Sequence, residues 1–240
     1  MDVSGTGSSG VQCIPLIAAQ ASHLHGFQRT PAYGEFRRHN STGPGGADFR
    51  ANCGSVFDVT PEERERIYEE RWTSGGLPFM GAFGDLMFDM EANRTAQEFI
   101  RNKIRRIVND AEVAEKLCPY QVFACKRLCV GTDYYETCNR TNVTLIDISN
   151  APTEAVTKKG IRTGGREYEL DSIVFATGFN AMTGALARID IRGRDGLTLE
   201  DKWAAGPRNY LGLMTAGFPT CFHHHRSGQP LGAFQHGAIH

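Results

Sequence analysis

Apolar positions divide the chain into strand-like and helix-like stretches separated by turns rich in glycine and proline. Met1-Asp2-Val3-Ser4 has two polar residues out of four, a poor pattern for a buried parallel strand. Val11, Ile14, Leu16-Ile17 and Ala18-Ala19 predict a short apolar helix. Leu24 to Phe27 predicts a second strand that carries Arg29 just past its end. Residues 34 to 57 hold no period and read as a loop, punctuated by Gly34, Gly43, Pro44, Gly45, Gly46 and Gly54. Thr60-Pro61-Glu62-Glu63 is a capping box with proline at the first helical position, opening a helix past Ile67 and Trp72 to Gly75-Gly76. Thr95-Ala96-Gln97-Glu98 predicts the start of another, with Phe99, Ile100, Ile104, Ile107 and Val108 at helical spacing. Asp110 caps a third, which buries Val113 and Leu117 before Pro119.

Strand patterns return after these helices. Val143 to Ile148 alternates and is rich in β-branched residues. Ile161-Arg162-Thr163, Gly164-Gly165 and Arg166 to Leu170 spell a hairpin turning on two glycines. Ser172 to Ala176 is a continuous apolar run, expected as a buried strand ending in Thr177-Gly178. The sum is an α/β fold without internal repeats.

Composition narrows the functional classes. Across 240 residues, Lys plus Arg number 26 against 27 acidic residues, so no bulk field draws the chain to nucleic acid or an anionic membrane. No apolar run approaches the roughly 20 residues that span a bilayer, and no secretory leader is expected. Seven cysteines then imply reduced thiols in a cytoplasm. No metal site is expected: Cys118, Cys125, Cys129 and Cys138 lack CxxC pairing, and the consecutive His223-His224-His225 cannot all face one ion. The sequons at Asn40, Asn139 and Asn142 carry no meaning without secretion.

The chemistry starts at Gly5-Thr6-Gly7-Ser8-Ser9-Gly10. In a dinucleotide-binding βαβ unit the first glycine makes the tight turn, the second lets backbone approach a pyrophosphate, and the third lets helix pack on strand. An acidic residue about twenty positions on selects NAD, whereas an arginine accepts the 2′-phosphate of NADP. Arg29 stands nineteen positions after Gly10, with Thr30 beside it. The pattern is that of an NADP site, and the competing reading is a glycine-rich tail. Taken alone, Lys126-Arg127 is a solvated basic pair and Trp203 a core anchor.

A wider resemblance changes those two readings. The strand ending in Ala176-Thr177-Gly178 resembles flavoproteins with two dinucleotide-binding domains, at the point where the chain crosses back to the FAD domain. Phe27 to Pro31, Thr60 to Trp72, Gly81-Ala82-Phe83-Gly84-Asp85, Lys126-Arg127-Leu128, Asp133 to Arg140, Ala176 to Gly184 and Lys202 to Pro219 resemble Baeyer–Villiger monooxygenases. The likeness runs from Gly5 to about Pro219. It implies an NADPH- and FAD-dependent enzyme that inserts one oxygen atom next to a ketone carbonyl through a peroxyflavin, with a ketone and dioxygen as its small-molecule partners. It implies Arg127 as the catalytic cation, and Lys126, Arg29 and Thr30 on the 2′-phosphate. Gly5, Thr6, Gly7, Ser8, Ser9, Gly10, Ala176, Thr177, Gly178 and Trp203 complete the implied cofactor-binding set, with Tyr210 in the same segment as Trp203.

The implied organisation is a partial flavoprotein with two dinucleotide-binding domains. Residues 1–33 open the NADP domain, 34–119 form a loop and helical insertion, 120–170 complete the NADP domain, and 171–220 return to the FAD domain. The family's FAD glycine motif, its FxGxxxHxxxW fingerprint and an active-site aspartate would all precede Met1. Pro119 to Cys125 lacks the family's glycine–threonine approach to the Lys-Arg pair, and the segment between Tyr33 and Val56 is short. After Pro219 the likeness stops. Back-translation of Phe222 to His240 with the frame moved by one base gives TITGPGSPLVLSNMAPS, which resembles the family continuation. Residues 221–240 are therefore expected to be an out-of-frame tail, and the chain as written is expected to be inactive by itself. The alternative is a non-catalytic remnant or NADP-binding module lacking the FAD-binding half.

Overall fold

The computed structural model describes residues 1–34, 54–74, 77–179, 183–210 and 214–219. The expected tail and most of the loop that follows Gly34 lie outside these residues. The chain forms two compact units, Met1–Gly178 and Phe179–His240.

The first unit is built on a parallel sheet. Its strands are β1 (Asp2–Ser4), β2 (Leu24–Gln28), β3 (Val143–Asp147) and β7 (Ile173–Phe175), in the order β3-β2-β1-β7. Helix α1 (Ser8–Ala18) connects β1 to β2. The weak opening pattern is corrected here: β1 is a central strand and all three of its residues are buried. Neighbouring strands decide this, because Asp2 pairs with His25 and Ile173, and Val3 with Gly26 and Val174. Val3 faces the apolar core with Ile14 of α1, and Asp2 and Ser4 share the opposite face. Burial there pushes the Asp2 carboxyl up to about 7, although the Ser4 hydroxyl donates to it at 3.1 Å.

On that opposite face lies an antiparallel sheet of β4 (Thr153–Val156), β5 (Gly160–Thr163) and β6 (Arg166–Glu169). Its Tyr168 ring packs edge-on against Phe27 at 5.2 Å and His25 at 5.6 Å. The β5–β6 turn is the predicted two-glycine turn, with Gly164 at φ 55° and Gly165 at φ 71°, where a side chain would be strained. The run ending at Ala176 is an edge strand rather than a fully buried one, and Phe175 is 61% exposed. This strand closes the first unit's sheet, and the first compact unit extends to Gly178.

The helices between β2 and β3 surround an aromatic core. Helix α2 (Pro61–Ser74) starts as its capping box predicts, the Glu63 amide donating to Thr60 Oγ1 at 3.2 Å. Tyr68 stacks on Phe79 at 5.4 Å, and Phe79 meets Phe123 edge-on at 5.5 Å. Helix α3 (Met90–Ile107) begins well before the predicted Thr95 start, more than a full turn earlier. Asp89 caps it, accepting from the Ala92 amide at 2.9 Å, and a carboxylate there also meets the positive end of the helix dipole. Thr95 lies inside, its hydroxyl donating back to the Ala92 carbonyl at 2.7 Å. Helix α4 (Ala111–Leu117) is capped by Asp110 as expected, and α5 (Tyr134–Thr137) precedes β3.

The second unit holds α6 (Gly184–Ala187) and α7 (Leu199–Lys202), the latter capped by Thr198. Among the described residues no helix is long and apolar enough to cross a membrane, and no three His, Cys, Asp or Glu gather as a metal set.

Candidate nucleotide site

At the end of β1 the chain turns into α1 over Gly5-Thr6-Gly7. Gly5 takes φ +108°, and a Cβ on it would lie 2.5 Å from the Ala176 carbonyl oxygen. A Cβ on Gly10 would lie 2.0 Å from the Gly5 carbonyl oxygen, so turn and helix touch through backbone alone. Gly7 differs, because a Cβ there would meet nothing within 4 Å. Its side faces open space. Gly7 is the N-cap of α1, with no capping side chain and no acidic residue in the first turn. The first amides of an eleven-residue helix are thus left to an anion.

Thr6 fastens this turn to the end of β2. Its hydroxyl lies 3.3 Å from Gln28 Oε1 and 3.4 Å from the Thr30 carbonyl. Gln28 in turn donates to the Lys116 carbonyl of α4 at 2.6 Å. Arg29 and Thr30 follow directly and are exposed. On the other flank, Ala176 donates its amide to the Ser4 carbonyl at 2.8 Å. Ala176-Thr177-Gly178 therefore borders the same glycine turn that Thr6 ties to Gln28 and Thr30, on either side of Arg29.

The segment carrying Lys126 and Arg127 is bonded to the chain just after Arg29. Gln121 Nε2 donates to the Pro31 carbonyl at 2.8 Å, and the Cys129 amide to the Tyr33 carbonyl at 2.8 Å. Ser8 Oγ approaches Cys129 Sγ at 3.7 Å, and Gln12 donates to the Val130 carbonyl at 2.8 Å. Lys126 and Arg127 themselves are exposed. Burial pushes the Cys129 thiol up, which keeps it protonated against α1. In the second unit, Trp203 donates its indole N–H to the Arg208 carbonyl at 3.2 Å and Tyr210 is 67% exposed.

Sequence reasoning missed Gln28 and Cys129 as the ties between these segments. A polar residue closing an apolar strand was the available signal for Gln28. Cys129 had none, because its contact joins residues far apart in sequence.

A parallel sheet whose first strand leads through a glycine turn into an uncapped helix is a Rossmann-type dinucleotide-binding unit. The comparisons agree with that class and narrow it. No family model matches the chain. It is 40% identical over 243 residues to the 2-oxo-Delta(3)-4,5,5-trimethylcyclopentenylacetyl-CoA monooxygenase of Pseudomonas putida, covering 92% of this chain and 45% of the relative. It is 40% identical over 247 residues to a Baeyer–Villiger monooxygenase of Pseudooceanicola batsensis, with the same two coverages. The crystal structure of OTEMO in complex with FAD and NADP is similar at a TM-score of 0.83 and 40% identity, over 92% of this chain and 45% of that one. The chain is homologous to Baeyer–Villiger monooxygenases over 92% of its length, and it spans about 45% of the length of the curated relatives it matches.

Proposed function

We propose that this chain forms the NADP-binding part of an NADPH- and FAD-dependent monooxygenase that inserts one oxygen atom next to a ketone carbonyl. The observation that carries the reading is the glycine turn, closed at Gly5 and Gly10, open at Gly7, and tied through Thr6 to Gln28 and Thr30, on either side of Arg29. The pyrophosphate lies over Gly7 on the amides of Ser8, Ser9 and Gly10. Arg29, Thr30 and Lys126 hold the 2′-phosphate, the arginine as a fork of donors charged at every relevant pH. Ala176, Thr177 and Gly178 border the dinucleotide from the β7 side.

FAD supplies the route by which reducing equivalents from NADPH reach dioxygen. Among the described residues there is one glycine turn of this kind, and the nicotinamide dinucleotide takes it, so no flavin-binding turn is assigned to this chain. Arg127 contributes a fixed positive charge where the ketone oxygen becomes anionic during oxygen insertion, and Trp203 a binding surface. The buried free thiols of Cys118 and Cys129 suit a reducing compartment, and we place the protein in the cytoplasm.

Calorimetry with NADPH and NADH tests the reading. A charge-assisted contact contributes about 1.5–3 kcal/mol, so the chain should prefer NADPH by about tenfold or more. Arg29→Ala should remove most of that preference. Equal affinity for the two nucleotides in the parent chain would refute the assignment.

A further inference from the structure

We propose that Asn93, in the first turn of α3, is the positioning residue for the Lys126-Arg127 pair; this rests on the nucleotide reading above. Asn93 is 3% exposed and its side chain is fully engaged. Nδ2 donates to the Leu86 carbonyl at 2.8 Å and the Phe123 carbonyl at 3.1 Å. Oδ1 accepts from the Phe123 amide at 3.0 Å and from Gln97 Nε2 at 2.8 Å. One side chain thereby takes both backbone groups of Phe123, as an adjacent strand would. The Phe123 ring is held as well, edge-on to Tyr33 at 5.4 Å and to Phe79 at 5.5 Å. Phe123 is a fixed point.

The chain leaves that point in an unusual way. Ala124 takes φ +63°, a left-handed conformation that alanine adopts where the surrounding contacts impose it. The Cys125 amide closes the turn on the Val122 carbonyl at 3.1 Å. Lys126 and Arg127 follow, and Cys129 is then fixed to the Tyr33 carbonyl and against Ser8. The two cations thus ride on a short bridge between two anchors, Phe123 and Cys129. The second anchor belongs to the nucleotide site itself, whereas the first is supplied from the helical insertion by Asn93. With Phe123 released, the bridge would be held at one end only, and its cations would spread over a wider range of positions.

The test uses the full chain. Hydrogen exchange comes first: Asn93→Ala should speed exchange across 122–128 by about tenfold or more while leaving β2 and β3 unchanged. Calorimetry follows on the same variant, where NADPH affinity should fall about tenfold and NADH affinity should hold. Lys126→Ala should do the same, and the double variant should be no weaker than Lys126→Ala alone, because both act through one contact. Gln97→Ala removes a single bond to Asn93 Oδ1 and should give a smaller change in the same direction, which keeps the test open if Asn93→Ala does not fold. Unchanged exchange across 122–128, equal weakening of both nucleotides, or additive losses in the double variant would each overturn the proposal. If the parent chain does not prefer NADPH, the functional reading fails, and the exchange result decides the clamp separately.

Discussion

Replacing Asp2 by Asn tests the account of the central strand. Asp2 is fully buried in β1, its Oδ2 accepts from Ser4 at 3.1 Å, and its Oδ1 has no partner among the described residues. Burial disfavours the charged form, so the folded-state value rises to about 7 from an ordinary 3.8. The folded protein therefore binds a proton that the unfolded chain has already lost over this interval. Stability from this group is fully present below about pH 4 and is lost as pH rises through about 7. The slope approaches 1.4 kcal/mol per pH unit, and the whole effect reaches about 4 kcal/mol above pH 7. Asn is isosteric, accepts from Ser4 and does not titrate. Urea unfolding of parent and Asp2→Asn, followed by circular dichroism, should give similar stabilities near pH 4 and a variant more stable by about 2–4 kcal/mol near pH 8. Other titrating groups cancel in the difference. Parallel stability curves across this range would refute the reasoning.

Four further outcomes are expected. Gly7→Ala should leave the melting temperature unchanged, because its Cβ meets nothing within 4 Å, yet weaken NADPH by about tenfold. Gly10→Ala should cost several kcal/mol of stability, since its Cβ would lie 2.0 Å from a backbone oxygen; NADPH binding by Gly7→Ala at parental strength would remove the pyrophosphate from this turn. Ala124→Gly should raise stability in urea by about 1 kcal/mol by relieving the left-handed alanine, and a loss would show that this conformation is unstrained. In a flavin-loaded protein containing this chain, Arg127→Ala should abolish oxygenated product while leaving NADPH affinity within about twofold, and product at the parental rate would remove Arg127 from catalysis.

What was legible in the sequence was local. The Thr60 and Asp110 caps, the Gly164-Gly165 turn and the arginine after β2 are each set by side chains a few residues apart. What was not legible depended on distant segments. The polar β1 is buried because β2 and β7 flank it, which four residues cannot announce. The start of α3 was misplaced because Thr95-Ala96-Gln97-Glu98 imitates a capping box, whereas the Asp89 carboxylate is the stronger cap. Asn93 and Gln97 did leave a trace. They lie four apart on the stripe that continues through Ile100 and Ile104, and all four are buried. Two amides in an apolar stripe require partners: Asn93 takes the backbone of Phe123 and Leu86, and Gln97 takes Asn93 Oδ1 and Arg101.

Charge pairing distinguishes two sets of cations with different consequences. In α2 and α3, Arg66, Arg94, Arg101, Lys103, Arg105 and Arg106 each reach a glutamate within 4 Å. Their charges are neutralised within the helices, and as exposed pairs most contribute little to stability. Arg29, Lys126 and Arg127 make no ion pair among the described residues, although acidic residues are as numerous in the chain as basic ones. They lie on two segments that are bonded to each other through Gln121 and Cys129. Unpaired cations held on neighbouring segments repel one another, and an added anion relieves that repulsion. The same segments border the uncapped end of α1, whose dipole favours negative charge as well. A helix terminus alone binds any small anion weakly and without preference. In the proposed function Arg29 and Lys126 add to that terminus a preference for a dinucleotide that carries a 2′-phosphate.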